Sequence, residues 1–82
     1  MPKQPSLNEI DSSWSGETVE VEAEVKSKSF SDGNIFLEIG DRELTVVQFD
    51  TSNRFEEGEK VEVEGTVRIY RGEMEIIADS IG

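Results

Sequence analysis

Five short stretches of alternating apolar and polar residues constrain this 82-residue chain more than any other feature. Residues two apart lie on one face of a β-strand, so each stretch predicts a strand with one buried and one solvent-facing side. The longest break in the alternation follows the third stretch. The predicted strands are residues 18–26, 34–39, 44–49, 61–70 and 74–81. Five strands in so short a chain predict a small all-β barrel that is closed or nearly closed.

The alternation also assigns faces to the strands. On the third strand both faces are partly apolar, with Leu44 and Val46 on one face and Val47 and Phe49 on the other. A glycine in the inward row of the fourth strand predicts a sharp bend that helps to close the barrel. The predicted inward residues of the other strands are Val19, Val21, Ala23, Val25, Ile35, Leu37, Ile39, Val61, Val63, Gly65, Val67 and Ile69.

Turn residues separate the strands. Residues 31–34 and the pair Arg71-Gly72 predict tight turns, because glycine adopts positive φ without strain. Gly40-Asp41 predicts a two-residue hairpin turn. In residues 50–59 we expect a short helical turn that carries Phe55, and we expect Phe55 to plug the barrel.

The N-terminal residues 1–15 predict a tail and a capping turn ahead of a barrel domain in residues 16–82. Ser6 and Glu9 have the spacing of a capping box, so a single helical turn with Leu7 and Ile10 on one edge should plug one barrel end. Trp14 is expected to anchor this turn. Residues 1–5 predict a frayed tail, and their polarity argues against a signal peptide.

Two five-stranded barrels fit this order of elements. SH3-like barrels usually have only a tight turn before the last strand. OB-folds are Greek-key barrels with an extra helix between strands 3 and 4, where this chain has its long gap. The sequence therefore favours the OB-fold, with a short helical turn between strands 3 and 4 and another at the N-terminus.

Composition excludes several classes of function. The chain has no histidine and no cysteine, which removes imidazole catalysis, thiolate chemistry and the usual zinc ligands. We expect no enzyme activity, no cofactor and no metal site. The absence of cysteine is consistent with a cytoplasmic protein, and no stretch is long enough to predict a membrane span. The net charge of −11, from 19 acidic and 8 basic residues, opposes non-specific binding of nucleic acid.

Four segments resemble a known family: residues 16–25, 33–41, 46–50 and 58–73. The pattern V-x-V-x-G-x-V-x-x-Y-x-G-x-x-x-I over residues 61–76 is the best match. The chain resembles the OB domains of replication protein A and its archaeal relatives, and the N-terminal OB domain of the exonuclease VII large subunit. This resemblance implies binding of single-stranded nucleic acid, DNA before RNA and with low sequence preference, in a replication or repair protein or complex. The family members usually carry more lysine and arginine near their grooves.

Such binding needs aromatic faces for bases and cations for phosphates. Phe36, Phe49 and Tyr70 are expected to stack on bases. Phe30 is either a further stacking residue or a cap on the barrel mouth, and Phe49 has packing against the core as its alternative. Five basic residues lie on the elements that OB-folds use for binding. The complete predicted set is Lys26, Lys28, Phe30, Phe36, Arg42, Phe49, Arg68, Tyr70 and Arg71.

Glutamates project from strands 1 and 4, at Glu20, Glu22, Glu24, Glu62 and Glu64. These strands are neighbours in an OB barrel, so the five carboxylates are expected to share one face. A solvated surface explains such a face most simply. The rival hypotheses for the whole domain are a protein-interaction module that docks a partner on this acidic face and a regulatory domain appended to a nuclease. The chain ends one residue after its last apolar position, so we expect it to work beside other domains or subunits.

Overall fold

The computed structural model describes residues 3–82 and contains five β-strands preceded by two 3₁₀ turns. The strands form a closed barrel, which confirms the predicted all-β OB-fold class. The 3₁₀ turns span Leu7–Glu9 and Ser12–Trp14, and the strands are β1 (Thr18–Ser31), β2 (Asn34–Ile39), β3 (Leu44–Gln48), β4 (Lys60–Tyr70) and β5 (Glu73–Ile81). None of the helical segments in this part of the chain is long and apolar enough to cross a membrane.

The order of strands around the barrel is β1-β2-β3-β5-β4, with β4 returning to β1. Strand β1 continues five residues beyond its predicted end and serves two neighbours. Its residues 18–24 pair with β4, and its residues 25–31 pair with β2, with an irregularity between Val25 and Ser27. Strands β3 and β5 are parallel, and the other neighbouring pairs are antiparallel.

The predicted inward rows form the core, with few exceptions. Most of these side chains are buried and pack together, while Ala23 is half-buried. Ile69 lies near the end of the β4–β5 hairpin and is 39% exposed, so its predicted burial is wrong. Val47 also departs from the simple alternation, because it is only 3% exposed although it faces outward, like its register partner Phe36.

At Gly65, where the sequence predicts a bend, the pairing of β4 with β5 is irregular and the two backbones approach closely. The register of β4 against β5 shifts between Glu64 and Gly65, where Ser80 and Ala78 are the successive partners. A Cβ on Gly65 would meet the carbonyl oxygen of Ile77 and would lie 2.8 Å from the Cα of Ala78. Glycine is required here because the backbones of the two strands lie too close together for any side chain.

Two of the three predicted turns are confirmed. Asp32 and Gly33, and likewise Arg71 and Gly72, all have positive φ, as both central residues of type I′ hairpin turns do. The two-residue turn at Gly40-Asp41 is wrong. The β2–β3 connection has four residues, 40–43, and is closed by a hydrogen bond from the Glu43 amide to the Gly40 carbonyl at 3.0 Å.

The connection between β3 and β4 contains no helix among residues 50–59, so the helical turn predicted there is wrong. Residues 51–56 follow an irregular path, and a turn at residues 57–58 leads into β4. Phe55 is nevertheless 8% exposed and packs in the core, as predicted. One large apolar side chain therefore plugs the barrel without helical geometry to position it.

The N-terminal plug forms as predicted. The Ser6 amide donates to Glu9 Oε1 at 2.9 Å, and these hydrogen bonds from Ser6 hold the pKa of the Glu9 carboxyl below its usual range. Because this pKa is lowered, the stabilisation that the hydrogen bonds to the ionised Glu9 carboxyl provide is lost as the pH falls through the pKa of Glu9. Ile10 is 1% exposed, and Leu7 packs against the same core.

The tail is ordered where it was expected to fray. Lys3 forms a parallel bridge with Val19: its amide donates to the Thr18 carbonyl at 3.1 Å, and its carbonyl accepts from the Glu20 amide at 2.8 Å. The prediction of fraying is therefore wrong at Lys3, and at Met1 and Pro2 it lies outside the described residues. Trp14 packs partly buried against the core, in agreement with its predicted anchoring role.

The close approach at Gly65 leads to a first prediction. Gly65→Ala should lower the free energy of unfolding by about 1–3 kcal/mol, because the new methyl group must displace the β5 backbone. Urea denaturation followed by tryptophan fluorescence measures the change. Gly82→Ala is the matched control, since a Cβ there meets no other atom within 4 Å. Equal stability of the two variants would contradict the close-packed closure.

Candidate nucleic-acid interface

Two rows of side chains cross the outer surface of the barrel. Residues in register on adjacent strands point to the same side of the sheet, so the pairing defines these rows. We call the first the polar row; it consists of Ser27, Glu38, Thr45, Glu75 and Arg68, one residue from each strand. We call the second the apolar row; it consists of Ser29, Phe36, Val47, Ile77 and Thr66.

The apolar row forms a continuous hydrophobic strip across β2, β3 and β5. Val47 lies between Phe36 and Ile77, which are both partly exposed. These neighbours account for the burial of Val47 on an outer face, where alternation alone predicts exposure. Phe36 lies on the outer face, where its position in the alternation predicted it. The strip offers an apolar surface on which the face of an aromatic ring can pack.

The polar row is linked by hydrogen bonds at both ends. The Ser27 hydroxyl donates to Glu38 Oε1 at 2.6 Å. Arg68 donates through Nε to Glu75 Oε1 at 2.9 Å, and its Nη2 forms an ion pair with the same oxygen. Only 15% of the Glu75 side chain is exposed, so the neighbouring guanidinium offsets much of the cost of burying this carboxylate.

Tyr70 stands at one end of the outer surface, beside the β4–β5 turn. Its side chain is 50% exposed. The guanidinium carbons of Arg68 and Arg71 lie 5.0 and 5.2 Å from the centre of its ring. Both distances are within the range of cation–π contact, so this end of the surface joins an aromatic face to two positive charges.

Phe49 stands at the opposite end of the outer surface, one residue after β3. It is 48% exposed and lies two residues beyond Val47 along the chain. Two hydrogen bonds hold the residues that follow it. The Asp50 amide donates to Asn34 Oδ1 at 3.0 Å, and the Thr51 amide donates to the Gly33 carbonyl at 2.7 Å. These contacts tie Phe49 to the β1–β2 turn.

Phe30 and Lys28 belong to neither row, although Lys28 lines a groove together with residues of both rows. Phe30 is paired with Ile35, which faces the core. Phe30 and Ile35 therefore lie on the face of the β1–β2 hairpin opposite to the two rows. Arg54 places its guanidinium carbon 3.5 Å from the centre of the Phe30 ring, and Lys28 Nζ lies 2.9 Å from Glu56 Oε2. The structure thus associates both residues with the β3–β4 connection.

Arg54 is one of the three basic residues outside the predicted set, with Lys3 and Lys60. It lies in an irregular connection 24 positions after Phe30, so no strand or helix period links the two residues. The stack beside Phe30 depends on the path of that connection over the barrel mouth. The sequence identifies Arg54 only as one of the few cations, and nothing in its spacing predicts the contact with Phe30.

Two other predicted cations have partners within the protein. Lys26 Nζ lies 3.7 Å from both a Glu24 and an Asp41 carboxylate oxygen. Arg42 lies in the β2–β3 connection and donates through Nη1 to the carbonyls of Leu7 and Ile10 at 2.7 and 2.6 Å. Arg42 therefore ties the N-terminal plug to the barrel.

The predicted acidic face forms across β1 and β4. Glu20 is opposite Glu64, and Glu22 is opposite Glu62, while Glu24 is opposite Lys60. Like charges placed opposite each other destabilise a sheet by a few tenths to about 1 kcal/mol per pair. Across residues 3–82, no group of three or more acidic side chains is arranged to hold a metal ion.

Comparisons with known proteins rest on structure alone. No family model matches the sequence, and the search of curated proteins finds no significant match. The first similar solved structure is asparaginyl-tRNA synthetase from Pyrococcus horikoshii, with a TM-score of 0.82 and 19% identity over 100% of this chain and 23% of that one. The chain therefore spans about a quarter of that synthetase.

Two further structures resemble the chain. One is a chain of a replication protein A heterotrimer bound to single-stranded DNA, with a TM-score of 0.70 and 19% identity over 80% of this chain and 55% of that one. The other is an OBody bound to hen egg-white lysozyme, with a TM-score of 0.79 and 21% identity over 100% of this chain and 94% of that one. The protein is thus an OB-fold domain, and its fold resembles that of replication protein A.

The contacts of Arg42 lead to a second prediction. Arg42→Ala should lower the free energy of unfolding by about 1–2 kcal/mol, because two backbone carbonyls lose a charged donor. It should also raise the pKa of Asp11, which hydrogen bonds from Ser13 and, to a smaller extent, the charge of Arg42 hold below its usual range. Denaturation and side-chain carboxyl NMR measure the two effects. Unchanged stability and an unchanged Asp11 pKa would leave Arg42 free for the predicted phosphate contact.

Proposed function

We propose that this OB-fold domain binds single-stranded nucleic acid, DNA before RNA, on the outer surface formed by the two rows. One observation carries the proposal: Phe36 and Tyr70 occupy outward positions of β2 and β4, and the exposed Phe49 follows β3 two residues after outward-facing Val47. OB-folds bind oligonucleotides on strands 2 and 3 and on the loops 1–2 and 4–5, and these aromatic residues lie on or beside those elements. The domain acts by binding, without chemistry of its own.

The aromatic side chains supply most of the binding energy in this proposal. Stacking of a base on an aromatic side chain is worth roughly 1–3 kcal/mol and tolerates any sequence. Phe36 lies on β2, Phe49 directly follows β3, and Tyr70 ends β4. A single strand that crosses the barrel from β2 over β3 and β5 to β4 would therefore pass Phe36, Phe49 and Tyr70 in that order.

The cations supply the smaller part of the binding energy. Arg71 has no ion-pair partner among residues 3–82, and Arg68 shares its charge with Glu75. Because few phosphates are neutralised, few counterions are released on binding. We therefore expect weak affinity for the isolated domain and a shallow dependence on salt.

The net negative charge does not oppose this geometry as strongly as its size implies. Four of the carboxylates are concentrated in the Glu20–Glu64 and Glu22–Glu62 pairs, on the halves of β1 and β4 that lie outside the two rows. The acidic face would thus favour approach of the strand from the aromatic side.

The likeness to replication protein A bound to single-stranded DNA supports the choice of ligand. In this proposal the domain is a module of a replication or repair protein, joined to other domains or subunits. Linking several weak modules raises the overall affinity through effective concentration, without new contacts in any of them.

Aromatic truncation provides the third prediction. Phe36→Ala and Tyr70→Ala should each weaken binding of a fluorescein-labelled, mixed-sequence DNA strand by roughly tenfold, since each removes one stacking contact. Fluorescence anisotropy at low salt measures the affinities. Phe30→Ala is the matched control, because it removes an exposed phenylalanine from the other side of the β1–β2 hairpin.

Thermal unfolding of each variant shows whether the barrel remains intact, since Phe36 also covers Val47. Full affinity in folded Phe36→Ala and Tyr70→Ala would contradict the proposed interface. An equal loss of DNA affinity in all three variants would also contradict the proposed interface, because the loss would then not depend on which face of the barrel carries the aromatic residue.

The acidic face favours a second candidate function, the docking of a basic protein segment. Its support is the placement of Glu20 opposite Glu64 and of Glu22 opposite Glu62, an arrangement that lowers stability and that a positively charged partner would relieve. The OBody bound to lysozyme is a protein of this fold whose partner is a protein. On this hypothesis Glu22→Lys would abolish partner binding, while the aromatic variants would retain it.

A further inference from the structure

Glu38 is an unexpected residue for the centre of a surface that binds nucleic acid. It is the second residue of the polar row, between Ser27 on β1 and Thr45 on β3. Its Oε1 accepts the Ser27 hydroxyl at 2.6 Å. No ion pair involves Glu38 within residues 3–82, whereas the other carboxylate of the row, Glu75, is paired with Arg68. An unpaired negative charge at this position repels phosphate.

A carboxylate on such a surface can interact favourably only with hydrogen-bond donors. When ionised it only accepts, and its two oxygens accept a pair of parallel donors. The Watson–Crick edge of guanine presents such a pair, the N1–H and the N2 amino group. Cytosine presents one amino group, whereas thymine presents a single N3–H between two carbonyl oxygens, which a carboxylate repels. The chemistry of Glu38 thus distinguishes the bases.

The position of Glu38 also suits contact with a base edge. Glu38 follows Phe36 by two residues on the same face of β2, which separates their Cα atoms by about 7 Å. Both residues line one groove of about 380 Å³ on the outer surface, and its other lining residues are Ser27, Lys28, Ser29, Leu37 and Thr45. A base stacked on the Phe36 ring would extend its edge along this groove towards the Glu38 carboxylate.

The hydrogen bond from Ser27 holds the carboxylate in place. It engages one lone pair of Oε1 and leaves the remaining lone pairs of both oxygens available to a base. Because the side chain is already restrained, less rotamer entropy is lost when a base binds. Thr45, on the other side of Glu38, adds a hydroxyl that can donate or accept at the same edge.

We propose that Glu38 gives this surface a preference for guanine over thymine at the position of the base stacked on Phe36. This inference rests on the proposed function and adds base selectivity to stacking, which on its own tolerates any sequence. Glu38 is the specificity-determining residue, Phe36 supplies the stacking face, and Ser27 is a positioning residue that acts through Glu38.

The test compares three labelled DNA strands about nine nucleotides long, a length within the range that one OB domain covers. One is all thymidine, the second carries a single central guanosine, and the third carries inosine there, which lacks the N2 amino group. We expect the guanosine strand to bind about tenfold more tightly than the thymidine strand, the scale of one good bidentate base contact. The inosine strand should fall between them.

Glu38→Gln separates base recognition from simple charge. It should bind the thymidine strand more tightly than the wild-type protein does, because a repulsive charge is removed, yet the ratio between guanosine and thymidine strands should fall towards one. Glu64→Gln is the matched control on the acidic face, with the same change of charge, and it should keep the wild-type ratio. Ser27→Ala should reduce the ratio in part.

The outcomes divide clearly. Equal affinities for the three strands in the wild-type protein would overturn the role of Glu38 and leave the proposed function standing. Retention of the guanosine preference in Glu38→Gln would also overturn that role, because the preference would then come from other groups. If no strand binds even at millimolar concentration, the proposed function itself fails, and this inference fails with it.

Discussion

The structure depends on one constraint: β1 must pair with two different strands to close the barrel. The first half of β1 pairs with β4 and the second half with β2, so the strand must bend between Val25 and Ser27. Gly65 permits the matching close approach of β4 to β5. Once these contacts set the register, the face of the sheet on which each strand residue lies is fixed. A slip of one residue would turn Phe36 into the core and remove the proposed interface.

Period-two alternation predicts the faces well and the loops poorly. It places Phe36 outward and most core residues inward, because in a small barrel the interior must be apolar on every strand. The burial of outward-facing Val47 escapes it, since that burial comes from neighbours on other strands. The helical turn expected near Phe55 fails for a related reason: burying one phenylalanine is enough to hold an irregular connection.

The cations show a second limit of sequence reasoning. Their positions near the β1–β2, β2–β3 and β4–β5 connections predict one binding surface, but their partners depend on the path of distant segments. Arg42 meets the carbonyls of the N-terminal plug, and Arg54 meets the ring of Phe30. Neither contact follows from spacing along a strand. The outer surface combines the apolar row and the polar row with exposed aromatic rings and the two arginines beside Tyr70.

The proposed function assigns nucleic acid to the aromatic side of the barrel and excludes it from the acidic side. Backbone amide NMR of the protein, titrated at low salt with a mixed-sequence single DNA strand, tests this assignment most directly. We expect shifts that cluster at Phe36, Val47 and Tyr70 and diminish as salt is added. Shifts confined to the strands that carry Glu22 and Glu62, or none at millimolar DNA, would contradict it.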